Sequence, residues 1–148
     1  MKIKKIPPTY LFISIVIIVI IYSLFPSFEL IKYPFNLIGI IFLPLGGILG
    51  AKSAKILKKH NTPVHFKDKS TTVVQVGFYK YSRNPIYLGT MLLLVGLSIL
   101  SKNILSFIAP VFFCLIVNFK FIPAEEKKME EALVNKYLNY KSKARKWV

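Results

Sequence analysis

The stretch Tyr81-Ser-Arg-Asn-Pro-Ile-Tyr87 sets an arginine, an asparagine and a proline directly against the start of an apolar run. Beyond the next apolar hairpin comes Pro123-Ala-Glu-Glu126, which places two adjacent carboxylates at the end of another apolar run. Guanidinium and carboxylate groups make charge-assisted hydrogen bonds, the strong kind. With the neighbouring tyrosines and a helix N-terminus they suit a zwitterionic or cationic cofactor. A plainer reading accounts for the same residues. Asn84 is a helix N-cap, Pro85 takes the first helical position, Arg83 is one more interfacial cation and Tyr87 is an interfacial aromatic. Pro123 begins another helix, with carboxylates near the positive end of its dipole. Placement favours chemistry: four of the chain's six acidic residues are Glu125, Glu126, Glu130 and Glu131. The first two abut a membrane-spanning run, and ionisable groups at such a depth are functional candidates.

The elements that position these groups follow from composition. The chain has 148 residues, 54% of them hydrophobic, and the apolar residues are clustered. Four runs stand out, at residues 10–25, 35–57, 86–100 and 104–122. A hydrocarbon core of about 30 Å needs about 20 helical residues. The second and fourth runs span it comfortably, and the first and third lean on their flanks. The expectation is an all-α membrane bundle of four transmembrane helices with a charged C-terminal helix. The first run does not read as a signal peptide, because Pro7 and Pro8 precede it and no small-x-small site follows Phe25.

The net charge of +15 is distributed unevenly. Three lysines precede the first run, eight basic residues lie between Lys52 and Arg83, and eight more follow from Lys120 onward. Only Lys32 and Lys102 occupy the other two connections. That asymmetry predicts both termini on the cytoplasmic side of the cell membrane. It also assigns the charge to anionic lipid headgroups, with no nucleic acid as partner.

Cys114 stands alone in the fourth run, which excludes an intrachain disulfide. His60 and His65 lack a cysteine or carboxylate cluster at ligand spacing, so no metal site is expected. In the second run, Gly46, Gly47, Gly50, Ala51 and Ala54 fall at four-residue spacings, an expected helix-packing stripe, and Pro44 is a candidate kink.

The polar blocks resemble those of the membrane-embedded isoprenylcysteine carboxyl methyltransferase and phospholipid methyltransferase group. Its members carry G-x-Y-x-x-x-R-[HN]-P-x-Y-x-G, a hydrophobic hairpin, a Glu-Glu pair and a Y-x-x-Y tail ending in basic and aromatic residues. This chain has Val73-Val74, Gly77-Phe-Tyr79, Arg83-Asn-Pro-Ile-Tyr87, Gly89, Glu125-Glu126, Tyr137, Tyr140 and Arg145-Lys-Trp147. It departs at Asn84, where many relatives have histidine, and at Leu133-Val134, where many have Phe-Gly. The resemblance covers about residues 63–148 as a cofactor-binding core, with 1–62 as a variable N-terminal hairpin.

The resemblance implies a methyltransferase whose cofactor is S-adenosylmethionine, bound between the third and fourth helices and the tail. It implies that Tyr79, Asn84, Pro85 and Tyr87 line the pocket and that backbone at Val73, Val74 and Gly77 approaches it. Arg83 would meet the methionyl carboxylate or brace Glu125, and Glu125 or Glu126 would accept from the ribose or amino group. Arg83 and Glu125 are the implied catalytic residues. The absence of G-x-G-x-x-G agrees, since a Rossmann-type enzyme normally shows that loop after a strand.

Methyl transfer from a sulfonium is an in-line displacement that needs alignment and exclusion of water. A carboxylate or thiolate acceptor needs no base, whereas an ammonium must first lose a proton. The pocket offers only glutamates and tyrosines, which leans toward an anionic lipidic or membrane-accessible acceptor. Phosphatidylethanolamine-type N-methylation is the alternative, and a non-catalytic small multi-pass subunit is the rival from another class.

Overall fold

The computed structural model describes residues 7–62 and 72–148. Lys2, Lys4, Lys5, Lys67 and Lys69, which entered the charge count, and His65 lie outside those residues. The described chain is helical: α1 (Pro7–Leu24), α2 (Gly39–Lys59), α3 (Pro85–Leu100), α4 (Ile108–Ile116) and α5 (Ile122–Lys143). Segments Pro7–Leu24, Phe35–Lys59 and Ile104–Lys143 are long and apolar enough to cross a membrane. α3 is the shorter apolar helix. Its 16 residues cover about 24 Å at the helical rise. The chain is a multi-pass membrane protein. Large apolar side chains such as Phe12, Val19, Ile40, Ile41, Leu45, Val111 and Leu115 are exposed, as lipid-facing surfaces require.

α4 and α5 do not separate at Pro123. The chain passes from α4 through a π-helical turn, Val117–Phe121, straight into α5. Proline has no N–H for the carbonyl four residues back, and its ring crowds that carbonyl. Widening the preceding turn accommodates both effects. The Ile122 N–H accordingly bonds Val117 O, five residues back.

The closest helix pairing joins α2 to α3 through glycines seven residues apart. A Cβ on Gly39 would lie 2.5 Å from Gly96 O, and one on Gly46 would lie 2.5 Å from Gly89 O. A Cβ on Gly89 or Gly96 would strike α2 in return, at 2.7 Å from Gly46 O and 2.8 Å from Gly39 O. This bears out the Gly46/Gly50 spacing and corrects the rest of the expected stripe. A Cβ on Gly89 would lie 2.8 Å from Gly50 N and 3.1 Å from Gly50 Cα, whereas a Cβ on Gly47 would meet nothing within 4 Å. The interface follows Gly39, Gly46 and Ser53, all buried, in a heptad progression. Four-residue spacing cannot identify the face, because lipid and helix interior are equally apolar.

At the end of the bundle away from the Glu-Glu pair, fully buried Asn103 donates to Phe25 O at 2.6 Å and accepts from Leu105 N–H at 2.9 Å. Ile31 N–H bonds Lys102 O beside it. The two lysine-poor connections therefore meet at one end. Asn84, Tyr87, Glu125 and the C-terminal tail gather at the other.

Candidate active site

Three segments build the site: the loop entering α3, the first turns of α5, and the tail after α5. The loop contains a short 3-10 turn, Gly77–Lys80. Gly77 opens it with φ of +61°, in the left-handed region where glycine alone carries no Cβ penalty. Tyr79 follows and is buried, with its carbonyl accepting from the Tyr140 hydroxyl at 2.6 Å. Burial pushes the Tyr79 phenol well above its ordinary pKa, and the nearby Tyr140 and Glu125 add to the rise. It is therefore a neutral hydroxyl at any physiological pH.

Arg83 is the most connected side chain. Its Nε donates to Glu126 Oε1 at 3.0 Å, and its Nη2 stands 2.9 Å from the same oxygen. Its Nη1 donates to two tail carbonyls, Lys141 O at 3.0 Å and Ala144 O at 2.9 Å. The main chain reinforces this. Arg83 N–H bonds Arg145 O at 2.9 Å, and Arg145 N–H bonds Tyr81 O at 3.1 Å, a short parallel bridge. Lys141 completes an ion-pair cluster, with Nζ 3.1 Å from Glu126 Oε2 and 2.7 Å from Glu130 Oε1. This corrects the expected bracing of Glu125: Arg83 takes Glu126, a partner the sequence reading did not name. Successive helical residues point about 100° apart, so only one of an adjacent pair can face a given side chain.

Asn84 occupies the N-cap position of α3, but its side chain makes no cap hydrogen bond. Its Nδ2 donates instead to Lys146 O at 2.8 Å, while its N–H bonds Ser82 Oγ. The capping role read from the sequence is thus corrected: the amide is diverted to the tail. Tyr87 is buried, not an exposed interfacial ring, and its hydroxyl donates to Glu125 Oε1 at 2.7 Å. The second Glu125 oxygen has no hydrogen-bond donor among the described residues.

Tyr79, Arg83, Asn84, Pro85, Tyr87, Glu125 and Glu126 come together where α3 begins. Val74 is buried, and Val73 packs against Tyr137, Tyr140 and Ala144. Val73 also lines a cavity of about 330 Å³ with Thr72, Gln75, Lys136 and Asn139. Gly77 faces α2, where an added Cβ would meet Ile56 Cδ1 at 2.6 Å. Helical geometry in α5 breaks at Leu133, with φ of −137° and ψ of 37°, at the departure from Phe-Gly. Sequence reasoning missed Lys141, Ala144 and Lys146. The last two act through main-chain carbonyls, which any residue supplies.

The donor set fits a cationic, adenosyl-bearing cofactor. Glu125 offers an open carboxylate oxygen, and the Tyr79 hydroxyl donates to no described residue. Both are held by partners that leave those atoms available. Comparison with curated proteins gave no match. Residues 35–136 match the phospholipid methyltransferase family. That match takes in α2, upstream of the residues that carry the resemblance, and stops short of Tyr137, Tyr140 and the tail. The chain belongs to the phospholipid methyltransferase family, and is a membrane methyltransferase that uses S-adenosylmethionine as methyl donor.

Proposed function

We propose that the protein methylates a lipidic acceptor that reaches the start of α3 from the bilayer. The observation that carries this reading is Glu125, held on one oxygen by buried Tyr87 and without a donor on the other among the described residues. When bound, S-adenosylmethionine supplies an electrophilic methyl group on a sulfonium. The chain's own tasks are then to bind, to orient and to exclude water. Glu125 accepts from the cofactor's ribose or amino group, and Tyr87 fixes the rotamer that does so. Asn84, Pro85 and Tyr79 wall the pocket, while Val73 and Val74 close its loop side.

The acceptor is read as a carboxylate or thiolate borne on a lipidic group, which needs no base. A second reading, an amine headgroup, is favoured by the family match. It requires a proton acceptor, and Glu125 is the candidate carboxylate. Both termini and the site are placed on the cytoplasmic face of the cell membrane, from the charge asymmetry.

The test is incubation of purified protein with native lipid extract and methyl-labelled cofactor. Label recovered in a lipid product supports the reading. Release of labelled methanol in mild alkali identifies a methyl ester; base-stable label on a headgroup nitrogen identifies the amine. Absence of any labelled lipid rejects a lipidic acceptor.

A further inference from the structure

We infer that Arg83 and Glu126 are positioning residues that latch a C-terminal strap, leaving Glu125 as the carboxylate that meets the cofactor. This inference rests on the proposed function for Glu125, but the strap stands on geometry alone.

A guanidinium has five N–H donors. On Arg83, Nε and Nη2 face Glu126, and Nη1 serves both Lys141 O and Ala144 O. Both edges that could grip a ligand carboxylate in a fork are therefore engaged. Glu126 is equally committed, with Oε1 on Arg83 and Oε2 on Lys141. Their side chains are only 11% and 15% exposed, so the pair is shielded from solvent exchange. Glu125 differs, since among the described residues only Tyr87 donates a hydrogen bond to it and its second oxygen has no donor.

What the latch holds is the segment after α5. Ala144, Arg145 and Lys146 each give a carbonyl to Arg83 or Asn84, and Arg145 N–H returns a bond to Tyr81. Beyond them Trp147 packs on the bundle core formed by residues including Tyr10, Tyr87 and Phe121. The motif's two most polar side chains are thus spent on the chain's own tail. Their effect on chemistry passes through the strap, which covers the end of the bundle where Glu125 lies.

Trp147 is the chain's single tryptophan, so its fluorescence reports the strap directly. The experiment compares wild type, Glu126→Gln, Arg83→Lys, Asn84→Ser and Glu125→Gln in detergent. It reads Trp147 emission and acrylamide quenching, together with calorimetric binding of S-adenosylhomocysteine. In Glu126→Gln and Arg83→Lys, Trp147 should shift to the red and become more quenchable, with weaker binding. Asn84→Ser leaves the ion pairs intact and should still loosen Trp147, which guards against general misfolding as the cause. Glu125→Gln should keep wild-type fluorescence and lose about tenfold in affinity, the worth of one charge-assisted hydrogen bond. Lost affinity in Glu126→Gln with unchanged Trp147 would overturn the division, as would wild-type binding by Glu125→Gln. If the wild type binds no S-adenosylhomocysteine, the functional reading and the role of Glu125 fall, while the Trp147 response still decides the strap.

Discussion

The Tyr87 hydroxyl stands 2.7 Å from Glu125 Oε1, joining the first turn of α3 to the first turn of α5 across the bundle. Both groups sit at the end of the bundle where the apolar helices meet the charged tail, and a part-buried carboxylate there is costly unless it is hydrogen-bonded. Replacing Tyr87 with phenylalanine keeps the ring and removes the donor. A hydrogen bond to a charged group is worth about 1.5–3 kcal/mol. Tyr87→Phe should therefore fold normally and lose about tenfold in kcat/KM. A steady-state assay with labelled cofactor checks it, and wild-type kinetics would mean that Glu125 does not depend on Tyr87.

The α2–α3 contact makes a prediction that distinguishes glycines close together in sequence. A Cβ at Gly46 would come within 2.5 Å of Gly89 O and 2.8 Å of Leu93 N, both backbone atoms that cannot move aside independently. A Cβ at Gly47 would meet nothing within 4 Å. Gly46→Ala should force the helices apart at a cost of about 1–3 kcal/mol, typical of overpacking. Gly47→Ala should be neutral or slightly stabilising, since alanine is the better helix former. Thermal unfolding in detergent would separate them, and equal midpoints for the two variants would show that the helices are not in this register.

How much of this was readable in advance differs by level. The spans were legible because runs of apolar residues long enough to cross a bilayer leave few alternatives. The junction at Pro123 was not, because a proline that starts a helix and one that follows a widened turn look the same in sequence. Gly46 and Gly50 were recognised as small and packed, but the stripe was sought at four-residue spacing alone, and the interface also advances by seven through Gly39, Gly46 and Ser53. The site's residue types were legible as a cluster of Arg83, Asn84, Tyr87, Glu125 and Glu126. Their pairing was not. Arg83 with Glu126 and Tyr87 with Glu125 depends on a helical phase that the π-turn resets, and the acceptors for Asn84 and Arg83 are carbonyls without a side-chain signature.

The π-turn gives the third prediction. With Pro123 replaced by alanine, an N–H becomes available and the ring no longer crowds the preceding turn. The segment Val117–Phe121 can then tighten into an ordinary α-helix. Loss of one residue from the wide turn would rotate everything after it by about 100° relative to α4. Glu125 would leave Tyr87, and Glu126 would leave Arg83. Pro123→Ala should accordingly keep its helix content by circular dichroism and lose methyl transfer almost entirely. Full activity would show that the tail contacts, not the turn, set the phase of α5.

The last prediction concerns sidedness. Lys32 and Lys102 lie on the connections that meet at one end of the bundle, where Ile31 N–H bonds Lys102 O. Arg83, Lys127, Lys128, Lys141 and the other tail cations lie with the site, beyond the opposite ends of α3 and α4. Cationic residues near membrane ends are retained on the cytoplasmic side during insertion. The site should therefore face the cytoplasm, which is also where S-adenosylmethionine must reach it. Single cysteines at Lys102 and Lys127, introduced after Cys114→Ala, place one reporter at each end. In intact cells a membrane-impermeant maleimide should modify the Lys102→Cys protein and spare Lys127→Cys until the membrane is opened. Modification of Lys127→Cys in sealed cells, with Lys102→Cys protected, would invert the topology and put Glu125 and Tyr87 on the outer face.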